Sequence, residues 1–375
     1  MYNRLARIGS TSVRSPLCSG WAKLRYGNIQ NMAEIPSSGI TLLYSGLNST
    51  ATSGSRYSTK TRTDNVEYNK MLAEYQKRVE QYEPATLDSL EFNSSSADSN
   101  LPPIIAIHGL YGSKLNWRGL MRRINKTLDR TIVAVDLRNH GSSQHMGPHN
   151  YFAMTKDILH FIEQKKWDKV VLMGHSMGGK VSMITSLLYP ELVSSVIVED
   201  MTPSFSELSQ DFINYLTGLE EIHNHPERIT NLRQADELFH KYEPNDKTVR
   251  QFILTNLRLN DEGVLKLRLG SKYIREGMDD VRGWPLPPPT FVPSTPHQQK
   301  DPLYETMPEP SKIINSGSIG SNASDNLQSQ LIFEYNKPSL LVCGSRSTHI
   351  NGAGVAKFKK MFVNSSIVEL DTGHW

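Results

Sequence analysis

The feature that most constrains the fold is a tight, glycine-flanked turn near the middle of the chain. Residues 174–178 read Gly-His-Ser-Met-Gly and fit the pattern G-x-S-x-G. They follow the apolar run 170–173 and precede a segment of helical character that begins near Gly179. A buried strand, a sharp turn and a helix are the context in which this motif lifts a serine hydroxyl clear of a sheet edge. The sequence therefore predicts that Ser176 is a nucleophile and that the backbone N–H of Met177 helps to bind an oxyanion.

Short apolar strands alternate with helical segments on both sides of this turn. Strands are predicted at 103–107, 131–135, 169–173, 193–198, 339–343 and 366–370. Helices are predicted near 117–128, 150–166 and 353–362. Alternation of this kind indicates βαβ units. We therefore expect an α/β fold with a mostly parallel sheet that is covered by helices on both faces.

The strand pattern stops between about Pro203 and Gly283. Amphipathic helices are predicted there at 212–219, 235–242, 249–259 and 264–274, which favours a helical cap inserted over the sheet. Residues 284–334 are rich in proline and serine and are predicted to form a disordered loop. The predicted organisation is a lead-in at 58–100, a first core part at 101–202, a cap at 203–283, the loop at 284–334 and a second core part at 335–375.

The N-terminal segment has a composition of its own. Residues 1–57 contain several arginines and one lysine but a single acidic residue, Glu34, and they lack the apolar centre of a secretory signal. This composition predicts a mitochondrial transit peptide with a mature, matrix-located chain that starts near Ser58, and the alternative is a disordered basic tail. No apolar run is long enough to span a membrane, so we expect no membrane span.

Charge and cysteine content narrow the function classes. The whole chain has a formal net charge of +3, but residues 1–57 alone carry +5 and residues 58–375 carry −2, so we expect no nucleic-acid partner. The two cysteines, Cys18 and Cys343, give neither a disulfide framework nor a Cys/His zinc cluster. No metal and no organic cofactor are therefore predicted.

A serine nucleophile needs a base, an acid that orients the base, and donors for the oxyanion. His374 follows the last predicted strand, which is the usual position of the base in the chain order serine, acid, histidine. The loop after the preceding strand contains no carboxylate, so we predict Asp200 as the acid, with Glu199 as the alternative. The backbone N–H of Leu110, after the strand that ends at residue 107, is the predicted second oxyanion donor.

Another carboxylate, Asp136, also ends a predicted strand. Its neighbours Arg138, Asn139 and His140 indicate a carboxylate that structures its own loop, and we predict a structural role for it.

Several stretches together resemble a mitochondrial α/β-hydrolase family that includes alpha/beta-hydrolase domain-containing protein 11 of animals, its fungal relatives and the yeast ethanol acetyltransferases. The resembling stretches lie at 108–114, 136–141, 174–180, 190–203 and 373–375. In the acetyltransferase branch the acid follows the strand after the serine helix, which implies Asp200 here. Residues 174–179 read Gly-His-Ser-Met-Gly-Gly rather than the G-Y-S-L-G-A of that branch, which favours the hydrolase branch. Family members continue beyond the histidine into a closing helix, so the second core part is expected to be truncated.

Three functions follow from these residues and this resemblance. The first is a serine hydrolase that cleaves carboxylic esters or thioesters through an acyl-enzyme on Ser176, with a small-molecule ester or thioester as its substrate. The second is an alcohol O-acetyltransferase that uses acetyl-CoA and ethanol. The third is a catalytically weak protein that binds or protects matrix enzymes.

Overall fold

The computed structural model describes residues 66–96, 101–206, 209–287 and 333–374. The predicted transit peptide at 1–57 and most of the predicted loop at 284–334 lie outside these ranges. The helices are α1 (Val66–Glu80), α2 (Arg118–Leu128), α3 (Tyr151–Gln164), α4 (Met177–Leu188), α5 (Gln210–His223), α6 (Leu232–Phe239), α7 (Lys247–Leu254), α8 (Ser271–Glu276), α9 (Met278–Arg282) and α10 (Gly352–Met361). The strands are β1 (Ser89–Phe92), β2 (Ile104–Ile107), β3 (Ile132–Val135), β4 (Val170–His175), β5 (Val193–Glu199), β6 (Leu257–Leu259), β7 (Leu265–Leu267), β8 (Ser339–Gly344) and β9 (Ser365–Leu370).

Seven strands form one twisted sheet in the order β1-β3-β2-β4-β5-β8-β9. All neighbouring pairs are parallel except the pair of β1 with β3, which is antiparallel. The predicted mostly parallel sheet is thus confirmed, and β1 is an additional edge strand that the sequence analysis did not find. Because the strands are parallel, their carboxyl ends meet at one edge, where ligands bind in open α/β sheets.

Alternate residues of the central strands pack into two separate apolar clusters. On β2, Ile105 and Ile107 belong to the larger cluster, whereas Ile104 and Ala106 belong to a smaller one with Trp117. Successive side chains of a strand point to opposite faces, so the two clusters lie on the two faces of the sheet. Helix coverage of both faces explains why these strands are apolar without a polar alternation.

The cap between β5 and β8 differs in part from its prediction. Helices α5, α6 and α7 fall close to the predicted segments, but β6 and β7 form an antiparallel hairpin where the sequence had predicted helix at 249–259 and 264–274. The strands read Leu-Arg-Leu and Leu-Lys-Leu, and Gly263 has a φ of 71° in the turn between them. A glycine at positive φ closes such a turn readily, and this turn signal outweighs the helical periodicity.

Three core side chains join the cap to the sheet domain, each by donating to a main-chain carbonyl of the cap. The Tyr111 hydroxyl donates to the carbonyl of Phe212 at 2.6 Å, and the Tyr151 hydroxyl donates to that of Val281 at 2.7 Å. Lys180 Nζ donates to two further carbonyls at the end of the cap. The cap is therefore held at its beginning and its end by groups that surround the sheet edge.

Packing extends into both ends of the segment predicted as loop. Leu286 is buried, and Phe333 packs edge-on against Tyr75 of α1 with ring centroids 5.3 Å apart. Helix α1 itself buries Val79 in the larger apolar cluster. Within the described ranges, no helix is both long enough and apolar enough to cross a bilayer.

Candidate active site

Ser176 occupies the turn between β4 and α4 in a conformation that few non-glycine residues adopt. Its φ is 53° and its ψ is −119°, and it caps the N-terminus of α4. Strained backbone of this kind persists only where the surroundings enforce it, and it is concentrated at functional sites. Here the Ser176 N–H donates to the Glu199 carbonyl at 3.0 Å, and its carbonyl accepts from the Lys180 N–H at 3.1 Å.

Two glycines make this turn sterically possible. A Cβ at Gly174 would lie 2.2 Å from the Gly178 carbonyl oxygen, and a Cβ at Gly178 would lie 2.4 Å from the Ile107 carbonyl oxygen. Both distances are far below van der Waals contact, so β4, α4 and β2 can approach this closely only where these side chains are absent. This close approach is the physical reason for both glycines of the motif.

A hydrogen-bonded chain runs from Ser176 through His374 to Asp200. His374 Nε2 lies 3.0 Å from Ser176 Oγ, and His374 Nδ1 lies 2.6 Å from Asp200 Oδ2. A carboxylate only accepts hydrogen bonds, so Nδ1 carries the ring proton and Nε2 is left to accept from the serine hydroxyl. The His374 and Asp200 side chains are 5% and 8% exposed, which keeps water from competing for these bonds.

Asp200 follows β5 and has a φ of 52°. Burial raises the pKa of its carboxyl, but hydrogen bonds from His374, the Ser347 hydroxyl and the Gly344 N–H outweigh burial and hold that pKa below its usual value. The carboxyl is therefore ionised at neutral pH. Glu199, the alternative acid, pairs with His175 in the register of β5 with β4.

Two further histidines flank His374. The His349 ring lies 3.9 Å from the His374 ring between centroids, with the planes tilted by 39°. Burial, followed by repulsion from His374, lowers the pKa of His349 to about 4, so it is a neutral neighbour. On the other side, His175 Nε2 lies 3.0 Å from the His374 carbonyl oxygen.

The loop after β2 carries the predicted second oxyanion donor, and buried histidines fix its shape. The Leu137 N–H donates to His108 Nε2 at 3.0 Å, and His108 Nδ1 bonds the Gly109 carbonyl at 2.7 Å. The Tyr111 N–H, at a residue with a φ of 61°, donates to His140 Nε2 at 3.3 Å. Burial lowers the pKa of both histidines, and the neutral rings act as fixed acceptors.

A pocket that is partly open to solvent lies over Ser176. Leu110 and Met177 line it beside the serine, so the structure brings together all five predicted site residues: Leu110, Ser176, Met177, Asp200 and His374. Phe212 and Val281 of the cap line the same pocket. An oxygen that receives negative charge above Ser176 would face the N-terminus of α4, which favours an anion.

Three groups that shape this site were not predicted from the sequence. Ser347 and His349 come from the loop after β8, which lacks the acid but reaches Asp200 and His374. Lys180 lies one helical turn after Ser176 and lines the pocket. Two features of the sequence could have indicated these groups. The loop follows β8 at the carboxyl edge of the sheet, and Lys180 is four residues after Ser176 on one helix face.

Asp136 has the loop-structuring contacts expected of it. Its carboxylate accepts from the Lys114 N–H at 2.7 Å and the Ser142 N–H at 2.9 Å, and it is fully buried. Among the described residues, no group of histidine, cysteine and acidic side chains is arranged to hold a metal ion.

A strained serine at a strand-to-helix turn, a histidine and a buried aspartate at the same sheet edge, and a cap over them define the class of α/β-hydrolase-fold enzymes. Comparison with known proteins agrees. The family model described as "alpha/beta hydrolase fold" matches residues 102–266. An abhydrolase domain-containing protein of Schizosaccharomyces pombe is 30% identical over 276 residues, which is 73% of this chain and 86% of that protein.

Two other relatives carry names that state an activity. The sn-1-specific diacylglycerol lipase ABHD11 of Danio rerio is 33% identical over 52% of this chain and 62% of its own length. Ethanol acetyltransferase 1 of Kluyveromyces lactis is 32% identical over 49% of this chain and 55% of its own length. The chain therefore spans under two thirds of each of these two relatives.

The same fold is found among solved structures. A marine microorganism esterase superposes with a TM-score of 0.58 over 78% of this chain and 93% of its own, at 21% identity. From the fold, the site and these relatives, the chain belongs to the α/β-hydrolase family. Its relatives include ABHD11, the Schizosaccharomyces pombe protein and the yeast ethanol acetyltransferases, as the motifs predicted.

Proposed function

We propose that this protein hydrolyses carboxylic esters or thioesters through an acyl-enzyme on Ser176. The observation that carries the proposal is the hydrogen-bonded chain Ser176–His374–Asp200 at the floor of a pocket. A serine hydroxyl is a weak nucleophile at neutral pH, and a histidine base within hydrogen-bond reach removes that limitation. The pairing of His374 with a buried carboxylate fixes its tautomer and stabilises the imidazolium that forms.

The chemical steps use only these groups and water. Ser176 Oγ attacks the substrate carbonyl carbon while His374 Nε2 accepts the hydroxyl proton, and the carbonyl oxygen becomes an oxyanion next to the N–H groups of Leu110 and Met177. As the tetrahedral intermediate collapses, the leaving alcohol or thiol takes the proton from His374. Water then attacks the acyl-enzyme by the same route, releases the acid and restores the Ser176 hydroxyl.

The second candidate is acyl transfer to an alcohol. The relative named ethanol acetyltransferase 1 favours it. In this reaction ethanol replaces water in the second half, so acetyl-CoA yields ethyl acetate rather than acetate. Whether water or ethanol attacks the acyl-enzyme depends on whether the cap excludes water from it.

The location proposed for this activity is the mitochondrial matrix. Support comes from the arginine-rich, almost acid-free composition of residues 1–57. Fusion of residues 1–57 to a fluorescent protein tests it, because import into mitochondria and processing near Ser58 are expected. A diffuse, unprocessed fusion would contradict the proposed location.

The experiment that tests the activity supplies the full chain with acetyl-CoA and ethanol and measures acetate and ethyl acetate together. We expect acetate as the main product and its loss in Ser176→Ala, by about 10⁴-fold or more. Ser182→Ala is the matched control, because Ser182 lies on the same helix but donates to the Gly178 carbonyl inside the core. A main product of ethyl acetate would favour the transferase.

A fluorophosphonate probe tests whether the serine reacts at all. We expect labelling of the full chain and no labelling of Ser176→Ala. Absence of labelling in the wild-type chain, together with absence of both products, would favour the third prediction, a protein that binds or protects matrix enzymes without catalysis.

A further inference from the structure

Lys180 is a basic side chain that lines the pocket, and it is 1% exposed. Its Nζ donates to the carbonyls of Arg282 and Gly283, at 3.0 and 2.9 Å. A lysine ammonium has three N–H donors, so one donor has no acceptor among the described residues. No carboxylate within the described ranges forms an ion pair with it, although buried charges in proteins are normally paired.

Lys180 lies on α4, the helix that begins directly after Ser176. Residues four apart in a helix lie on one face, about 6 Å apart along the axis. Both side chains line the same pocket, whose other walls include the apolar side chains of Leu110, Met177, Met201, Phe212 and Val281. In such apolar surroundings a single charged group dominates the recognition of a ligand.

The electrostatic surroundings of Lys180 add positive charge. Burial lowers the pKa of Lys180 to about 7, and the charge of Lys357 lowers it further. Nζ also lies 5.7 Å from the centre of the Tyr151 ring. A bound anion would raise the pKa of Lys180 again, because it would stabilise the ammonium form.

We propose that Lys180 binds a carboxylate on the substrate, so that the pocket selects half-esters or thioesters of short dicarboxylic acids over neutral acyl groups. This inference rests on the proposed hydrolase function. Ser176 and Lys180 are one helical turn apart on α4 and line one pocket, so the carboxylate would belong to a short acyl chain.

The test compares two acyl-CoA thioesters of the same length, butyryl-CoA and succinyl-CoA, which differ in a terminal methyl or carboxylate. For the wild-type chain we expect a higher kcat/KM for succinyl-CoA by at least about tenfold. In Lys180→Met the ratio of kcat/KM for succinyl-CoA to that for butyryl-CoA should fall to about one, whatever loss of turnover the two thioesters share. Because succinyl-CoA also hydrolyses spontaneously, rates are taken relative to Ser176→Ala.

Lys337→Met is the matched control. Lys337 Nζ also donates to two main-chain carbonyls, those of Pro190 and Val193, and neither residue lines the pocket. The control variant should keep the wild-type preference. If Lys180 serves only to hold the cap, Lys180→Met lowers the turnover of both thioesters in parallel, and the inference is wrong.

Two further measurements keep the inference testable if Lys180→Met does not fold. Free succinate should inhibit butyryl-CoA turnover competitively in the wild-type chain, and Lys180→Arg should retain that inhibition because it keeps the charge. A wild-type chain that prefers butyryl-CoA, or that succinate does not inhibit, overturns the inference. Failure of the proposed function looks different, since neither thioester would then be turned over above the Ser176→Ala rate.

Discussion

The two sides of the pocket are built in different ways. On the sheet side, the polar groups bond to one another: Ser176 to His374, His374 to Asp200, and Asp200 to the Gly344 N–H. On the cap side, core side chains donate to main-chain carbonyls, and the walls are mostly apolar. Every residue has a main-chain carbonyl, so cap residues can change without loss of the attachment. Side chains at the sheet edge therefore fix the chemical reaction, whereas changes in the cap can alter which substrate is bound.

The largest effect that sharpens this comparison is expected for Asp200→Asn. The amide cannot hold His374 in the tautomer that accepts from Ser176, and we expect kcat to fall by about 10⁴-fold. Because asparagine keeps an acceptor for the Gly344 N–H, the fold should be retained. The measurement is steady-state hydrolysis of a simple ester, with circular dichroism to check the fold.

Two variants serve as controls for Asp200. Glu199→Gln should keep kcat within about twofold of wild type, whereas Ser347→Ala, which removes one donor to Asp200, should lower it by about tenfold. A large loss in Glu199→Gln with little loss in Asp200→Asn would assign the acid to Glu199 instead.

A smaller effect is expected at the junction between the two sides. Tyr111 joins the oxyanion loop to the cap, because its hydroxyl donates to the Phe212 carbonyl while its own carbonyl accepts from Asn256 Nδ2 at 2.8 Å. Tyr111→Phe leaves the buried Phe212 carbonyl without this donor, which costs about 1–3 kcal/mol of stability. We expect kcat/KM to fall by about tenfold as well, because Tyr111 directly follows the predicted oxyanion donor Leu110.

Tyr335→Phe provides the matched control for Tyr111→Phe. The Tyr335 hydroxyl is also buried and donates to a main-chain carbonyl, that of Val193, at 2.9 Å, but it does not line the pocket. It should lose a similar amount of stability in urea denaturation and keep kcat/KM within about twofold. Equal losses of kcat/KM in both variants would show that the junction has no special role.

The sequence predicted the sheet side of the pocket better than the cap side, and the reason is physical. Parallel strands bring their carboxyl ends to one edge, so Asp200 and His374 could be placed beside Ser176 from strand positions alone. Strand positions do not predict the path of a loop, so Ser347 and His349, which contact Asp200 and His374 from the loop after β8, were not predicted. In the cap, Leu-Arg-Leu and Leu-Lys-Leu fit both a helix and a hairpin, and the turn at Gly263 decided the outcome.

The stability of the sheet side is expected to depend on pH. His108, His140 and His149 are buried near the oxyanion loop, with neighbouring ring centroids 4.9 and 5.6 Å apart. Burial lowers the pKa of all three, to about 3 for His149. Between pH 6.5 and the lowered values the unfolded chain binds more protons than the folded chain, so the free energy of unfolding increases with pH in this window.

We therefore expect these histidines to make their full contribution to the free energy of unfolding above about pH 6.5. As the pH falls below that value, each histidine should lower the free energy of unfolding by at most about 1.4 kcal/mol per pH unit. The measurement is urea denaturation between pH 7.5 and pH 5, a range that lies above the ordinary pKa of aspartate, so the histidines dominate the slope. His149→Asn should reduce the slope, because its buried neutral ring is then absent. If His149→Asn left the slope of the unfolding free energy against pH unchanged, buried neutral histidines would not distinguish the sheet side from the cap. The difference between the two sides would then rest on the chain of Ser176, His374 and Asp200 alone.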